Sequence, residues 1–512
     1  MDQPAPQLQV PQDRTAETRV QPADTEPMAR GFVDFLGGPL GRHAYVGREV
    51  WWTALRMIMV ISAGFLTLGW LQKANCVRTA VSDAGPYVDW AGKVQYTSAC
   101  YSDIIVLYGG RGFESAQFPY AFSWQADGIT RYLEYPVVTG LFQYAMALIT
   151  KPVAALWEAV GLPPAANAAI NMGVTAFFLA ACWIAACAVV TKLAGNRPWD
   201  TLLMAASPLV IVHAFTNYDL LSILFAVLAI WLWAKGRPGW AGVLAGLGIA
   251  AKLWPLFIVG AMGLLALRAR NWSVMFRFAV ATMLTWLAVN VPIYLAYPEA
   301  WGEFFRLNSS RGWEGSTIYA VLAHLTGWEQ WNGTTPSQAV NNVQQFNTIT
   351  LVLLVIALML LTYVVLTVKQ RPRLAQVMFL AVLAFMLTNK VWSPQYSIWL
   401  LPLLVLALPR WRLVFTWAAA EAFYWYLRMW TFLPPELAAP DWLVDSFTVL
   451  RLGLLVAMAV IVVRQMYGSA PDPVRAAHGG RDPLAGALGV GVEKQAKGHV
   501  ENAHKETMGS TN

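Results

Sequence analysis

The chain has 512 residues, of which 57% are hydrophobic and only 13% charged. A soluble globular domain carries about 25% charged residues, so composition excludes that class. With a mean hydropathy of +0.46 and repeated apolar runs of about 15 to 25 residues, it indicates a polytopic membrane protein. The net charge of +7 does not point to nucleic acid. Its basic residues are spread over short loops between apolar runs, the pattern that orients spans in a bilayer.

Residues 1–45 are rich in Pro, Gln, Arg and Asp and read as a disordered cytoplasmic tail. No cleavable signal is expected, because the first apolar run starts near Leu55 and lacks a small-residue cleavage site. That run, about 55–71, is the first span of a membrane domain predicted over 46–466. Arg42, Arg48 and Arg56 flank its start and place the N-terminus inside. Residues 73–166 then form a long first extracytoplasmic loop. Within it the apolar run 135–149, about 15 residues, is short for a span and reads as an interfacial or re-entrant helix.

Further spans are predicted at about 167–191, 201–215, 218–234, 239–251, 254–267, 274–297, 347–368, 374–388, 395–408, 412–430 and 445–464. With 135–149 held out of the count, Lys192, Arg197, Lys235, Arg237, Arg268, Arg270, Arg277, Lys369, Arg371, Arg373, Arg410 and Arg412 all fall inside. The positive-inside rule thus favours about twelve spans with both termini cytoplasmic. Residues 467–512, rich in Gly, Ala, Lys and His, read as a second disordered tail. Many of the 25 tryptophans fall near span ends, as expected of interface anchors.

The orientation isolates a few basic residues on the outer side: Lys252, Arg306, Arg311, Lys390 and Arg428. A cation at membrane depth is costly and marks a functional site by default, although snorkelling to the interface is the plain alternative. Lys252 and Lys390 adjoin Pro-interrupted segments, Lys252-Leu-Trp-Pro255 and Lys390-Val-Trp-Ser-Pro394-Gln395-Tyr396. Broken helices at this depth usually line a polar cavity. The outer loop 298–346 holds Asn308, Arg311, Trp313, Glu314, His324, Trp328, Trp331 and Asn332. Rings and amides together suit a carbohydrate; they also suit an ordinary interfacial loop. Cys182 and Cys187 lie in a span and read as packing residues. Cys76 and Cys100 share the first loop, where an oxidising compartment would allow a disulfide.

In that loop Asp103 sits within Cys100-Tyr-Ser-Asp103-Ile-Ile-Val-Leu-Tyr108-Gly-Gly-Arg111. Together with Glu134-Tyr135-Pro136, Asn217-Tyr-Asp219, Gly246-Leu-Gly-Ile-Ala-Ala-Lys252-Leu-Trp-Pro255 and the Lys390–Tyr396 stretch, the chain resembles a known family over residues 50 to 430. It is similar to the actinobacterial integral-membrane glycosyltransferases of the GT-C fold. The branch holds the polyprenyl-phosphate-mannose-dependent α-mannosyltransferases of phosphatidylinositol mannoside and lipomannan synthesis. The resemblance implies membrane-surface helices in the first extracytoplasmic loop and a catalytic acidic residue there. Asp103 fits that position, with Asp83 and Asp89 as competitors. It also implies a second acidic residue near the site, for which Glu134 is the candidate. The family's Tyr-Pro-Pro element appears here as Tyr135-Pro136-Val137.

The chemistry such a site needs can be read from the residues. A sugar hydroxyl attacks an anomeric carbon poorly. A carboxylate that takes its proton contributes typically 10²–10⁴-fold, and one carboxylate suffices for a single inverting displacement. The leaving polyprenyl phosphate needs cations and donors, for which Lys252, Lys390, Arg311, Gln395 and Tyr396 are the candidates. Tyr108, Tyr135, Asp219, Trp313 and His324 are candidates for sugar or acceptor contacts. For Asp103 the plain alternatives are a solvated carboxylate or a salt bridge to Arg111; for Asp219, a helix cap. No His/Cys/Asp cluster has zinc-ligand spacing, whereas a Mg²⁺ or Mn²⁺ bridging a phosphate to carboxylates uses few protein ligands and stays compatible with the sequence. The expected enzyme is a hexosyltransferase of the plasma membrane. It would move mannose from a polyprenyl-phosphate donor to a glycolipid or lipoglycan acceptor, with its active site extracytoplasmic. A secondary transporter or lipid-linked-sugar flippase is the competing class; it would often show two similar halves with paired broken helices, and no such repeat is seen.

Overall fold

A long run of Leu, Val, Ala and Phe can close all its backbone hydrogen bonds within one helix, which is the condition for crossing a bilayer. The structure is a computed structural model that describes residues 53–126, 128–328, 332 and 336–488. Among them six helices are long and apolar enough to cross a membrane, and five shorter apolar helices accompany them. The chain is an all-α polytopic membrane protein with two small hairpins. The expected tail over 1–45, the chain beyond 488 and Trp331 lie outside the described residues.

In chain order the elements are α1 (Ala54–Lys73), β1 (Thr79–Ser82), β2 (Gly85–Val88), α2 (Val94–Thr97), α3 (Asp103–Gly110), β3 (Trp124–Ala126), β4 (Ile129–Arg131), α4 (Val137–Ala159), α5 (Asn167–Leu193), α6 (Leu202–Ala205), α7 (Pro208–His213), α8 (Asp219–Ala234), α9 (Pro238–Ala251), α10 (Pro255–Arg268), α11 (Trp272–Ala296), α12 (Pro298–Ser310), α13 (Ile318–Thr326), α14 (Pro336–Thr367), α15 (Leu374–Thr388), α16 (Leu400–Ala407), α17 (Trp411–Trp430), α18 (Asp441–Met466) and α19 (Pro473–Ala477). A 3₁₀ turn, Pro394–Trp399, leads into α16. The antiparallel hairpins pair Thr79 with Val88 and Trp124 with Arg131.

Side-chain contacts sort the helix termini onto two ends of the bundle. At one end, Lys73 closing α1 donates to Val212 O and Thr216 Oγ1 beyond α7. There also Lys252, just past α9, meets Asp219 at the start of α8. At the other end, the Arg373 guanidinium before α15 caps the last carbonyls of α16, Leu406 O and Ala407 O, at 2.8 and 2.7 Å. Gly242 and Gly246, four apart on one face of α9, let it press on α11. A Cβ at Gly242 would stand 2.4 Å from Phe278 O, and one at Gly246 2.7 Å from Thr282 O. Such small-residue faces permit close backbone approach between helices in lipid.

Three features differ from the sequence expectation. The helix expected over about 135–149 runs through Pro152 to Ala159 and is long and apolar enough to cross a membrane. Its partners nevertheless keep it at one end of the bundle. Thr139 Oγ1 near its start donates to Ala251 O, at the tip of α9. Just past its finish, Ala166 N donates to Thr79 Oγ1, close after α1. Many tryptophans are core residues instead of interface anchors: Trp183, Trp233, Trp254, Trp399 and Trp417 are fully buried. Trp254, Trp399 and Trp417 find partners for their ring N–H, as Trp254 does in Ser222 Oγ at 2.8 Å, whereas those of Trp183 and Trp233 have none among the described residues.

The third difference is the segment after α18. Residues 473–488, expected to belong to an unfolded tail, dock on the bundle. Asp472 caps α19 and bonds Arg373 Nε at 2.7 Å. Asp482 Oδ2 accepts from Leu374 N, and His478 Nε2 accepts from Asn196 N. Leu484 and Leu488 are buried. Specific side-chain acceptors and two apolar anchors supply what the Gly- and Ala-rich composition alone does not suggest.

Candidate active site

The site is built where α1 ends. The thiols of Cys76 and Cys100 are joined as a disulfide, Sγ–Sγ 2.08 Å, and both residues are buried. This fixes the strand of chain that leads into α3 against the end of α1. Beneath it the buried Lys73 ammonium donates to Tyr101 O, Val212 O and Thr216 Oγ1, each at 3.1 Å. Ser102 is the N-cap of α3: its Oγ accepts from Ile104 N and donates to Phe215 O at 2.7 Å. The Asp103 N–H donates to Thr216 O at 2.9 Å. Asp103 is thus the first residue of a helix, where the dipole favours a negative charge, and its backbone is tied to the segment ending at Asn217.

Its carboxylate is oriented from two sides. Tyr101 OH donates to Oδ1 at 2.8 Å and Asn217 Nδ2 to Oδ2 at 2.6 Å. Asn217 Nδ2 also reaches Tyr135 OH at 2.8 Å. Burial raises the Asp103 pKa above the ordinary carboxylate range; the bonds from Tyr101 and Asn217 and the Lys252 charge pull it back, and Asp219 adds to the rise. Burial and the neighbouring carboxylate likewise push the Tyr101 phenol up, so it stays a donor.

Asp103 opens into a cavity of about 330 Å³ whose lining includes Tyr96, Tyr101, Glu314, Gln395 and Arg428. Glu314 is held by its own N–H on Lys390 O at 2.9 Å and by Ser393 Oγ on its carboxylate at 3.1 Å. Tyr96 stacks on Tyr101 with ring centres 6.3 Å apart and on Phe432 at 5.0 Å, forming an aromatic wall.

The other candidates distribute around this cavity. Lys252 Nζ lies 2.6 Å from Asp219 Oδ1, which also accepts from Trp399 Nε1 at 2.6 Å. Lys252 sits over the rings of Tyr396 and Trp399 at 5.3 and 5.6 Å. Arg311 pairs with Glu314 at 3.4 Å. Lys390 Nζ donates to Arg311 O; burial, then the Arg311 charge, pushes its pKa down to about 8. Neither Lys252, Lys390 nor Arg311 lines the cavity wall that Asp103 lines.

The remainder are placed elsewhere. Glu134 is engaged by Arg111 in a two-pronged pair at 2.6 and 2.8 Å, so Arg111 serves Glu134 and not Asp103. Tyr108 belongs to a separate apolar cluster with Phe113, Tyr120 and Leu133. Trp313 packs edge-on to Phe346, and His324 Nδ1 lies 3.0 Å from Asp445 on α18. Asp83 is exposed at a hairpin turn, and Asp89 Oδ1 accepts from Ala91 N. The residues that sequence reading did not assign to the site are Tyr96, Tyr101, Asn217, Arg428 and Phe432. Tyr101 and Asn217 carried a signal, since each stands in a motif beside a residue that was singled out.

No curated protein matches the chain. The family model of glycosyltransferase family 87 matches residues 134–394, just over half of the chain. The chain belongs to glycosyltransferase family 87 and is a membrane glycosyltransferase.

Proposed function

We propose that the protein is an inverting hexosyltransferase that moves mannose from a polyprenyl-phosphate donor to a glycolipid or lipoglycan acceptor, with Asp103 as general base. The observation that carries this reading is the half-buried Asp103 carboxylate, oriented by Tyr101 and Asn217, facing a cavity walled by aromatic rings. The acceptor hydroxyl oxygen bonds to the anomeric carbon as its proton passes to the Asp103 carboxylate. The bond from that carbon to the phosphate oxygen breaks, and the electron pair leaves with polyprenyl phosphate. The raised pKa makes Asp103 a stronger base than an exposed carboxylate.

The site's placement in the membrane rests on charge. Lys192, Arg197, Arg371, Arg373, Arg410 and Arg412 gather at the bundle end opposite Asp103, which supports an extracytoplasmic site in the plasma membrane and about twelve crossings. The prenyl chain then stays in the bilayer and only its phosphate needs polar contacts.

Purified protein given synthetic polyprenyl-phosphate-mannose and a mannoside-bearing lipid should transfer mannose. Asp103→Asn should lower kcat at least 10²-fold. Transfer at the wild-type rate in that variant removes Asp103 as base. Transfer only from a different lipid-phosphate sugar corrects the donor.

A further inference from the structure

A departing phosphate monoester is stabilised by cations or fixed donors aimed at its oxygens, and a cation free of a carboxylate partner has its charge available for that. Of the cations near the cavity, Lys73 gives its buried ammonium to Tyr101 O, Val212 O and Thr216 Oγ1, Lys93 bonds Phe432 O, and three others meet carboxylates. Lys252 meets Asp219 at 2.6 Å, Arg311 meets Glu314 at 3.4 Å, and Arg451 meets Glu421 at 3.0 Å. Lys390 gives its ammonium to Arg311 O and lies outside the cavity lining.

Arg428 differs on each count. It lies in the last turn of α17 and lines the same cavity as Asp103. Among the described residues it forms no ion pair with a carboxylate. One of its donors goes to Thr431 Oγ1 at 2.6 Å, which leaves most of the guanidinium's five N–H groups open. Gly315 faces it: a Cβ there would stand 3.4 Å from Arg428 Cζ, so glycine leaves the fork uncrowded.

The aromatic wall runs between the base and this cation. Tyr101 bonds Asp103, Tyr96 stacks on Tyr101 and on Phe432, and the Arg428 guanidinium lies over Phe432 at 4.5 Å. An inverting displacement requires base and leaving group on opposite sides of the sugar ring. A row of rings with a carboxylate at one end and an open guanidinium at the other, all lining one cavity, leaves space for a sugar between base and leaving group.

We infer that Arg428 is the phosphate-binding residue for the lipid donor, and that Tyr96 and Phe432 carry the hexose between it and Asp103. The assignment rests on the donor class proposed above. Guanidinium binds phosphate through two parallel hydrogen bonds, which lysine cannot reproduce.

The test uses the full-length protein in nanodiscs and measures binding of polyprenyl phosphate, which carries no sugar and demands no turnover. Arg428→Gln should weaken its binding about 10- to 100-fold, the loss of a hydrogen bond to a charged group. Arg428→Lys, which keeps the charge and guards against misfolding of the glutamine variant, should weaken it less and make the residual binding more salt-dependent. Binding of neutral polyprenol should be the same in all three. If both variants fold and hold polyprenyl phosphate as tightly as wild type, the Arg428 assignment fails while the donor class stands. If wild type itself binds polyprenol and polyprenyl phosphate equally, the donor class fails and the assignment with it.

Discussion

Replacing Lys252 by methionine separates a substrate contact from a structural ion pair. Asp219 is only 2% exposed, and its partner Lys252 17%. One carboxylate oxygen takes both Lys252 and Trp399, and the other has no hydrogen-bond partner among the described residues. Lys252→Met therefore leaves a buried carboxylate with one neutral donor. Breaking a buried pair from one side costs about 3–5 kcal/mol, and the partial exposure of Lys252 puts the expected loss near the lower figure. Adding Asp219→Asn removes the stranded charge while an amide oxygen still receives the Trp399 N–H. The double variant should regain most of the loss, which a thermodynamic cycle reads as a coupling of about 2–3 kcal/mol. Thermal unfolding in detergent, followed by tryptophan fluorescence, measures the stabilities, and glycosyl transfer is assayed on the same samples. A double variant that melts like wild type yet does not transfer would refute the structural reading and put Lys252 in contact with substrate. A single variant that melts like wild type would refute the buried-pair energetics.

The pH profile of kcat/KM should fall on its acid side above the ordinary carboxylate range, because burial raises the Asp103 pKa and transfer needs its deprotonated form. The sign for stability follows from linkage: the folded protein holds that proton more tightly than the unfolded chain, so the stabilisation present at low pH is lost as pH rises through the folded pKa. Asp103→Asn should melt at or above the wild-type temperature at neutral pH. Gly242→Ala should destabilise α9 against α11 by about 1–3 kcal/mol, the usual cost of overpacking, because its Cβ meets the backbone at Phe278 O; an unchanged melting temperature would argue against that close approach. Asp472→Ala strands the 1%-exposed Arg373, and residues 473–488 should become sensitive to limited proteolysis while wild type resists.

How much of this was legible in the sequence depended on how local each signal is. Apolar runs mark helices because lipid admits little else, and the order of spans follows from hydropathy and loop charge. The end of α4 did not follow, since Lys151-Pro152 looks like a stop, yet the helix continues through it. The short hairpins escaped notice because a strand of three or four residues has no period to detect. Asp103 stood out as an acidic residue in an outer loop, whereas Asn217, which orients it, lies 114 residues further along the chain. Arg428 stood among several outer-side cations with nothing local to set it apart; only the fold brings it, and not Lys252, Lys390 or Arg311, to the wall of the cavity that Asp103 lines.

The docked segment after α18 also bears on how the molecule is made. It follows the membrane helices of the described residues, yet it braces Asn196 after α5 and Leu374 at the start of α15, which leave the ribosome far earlier. Until Asp472 arrives, Arg373 has the α16 carbonyls for partners but no counter-charge. A chain cut short after α18 would therefore leave the buried Arg373 guanidinium without its counter-charge.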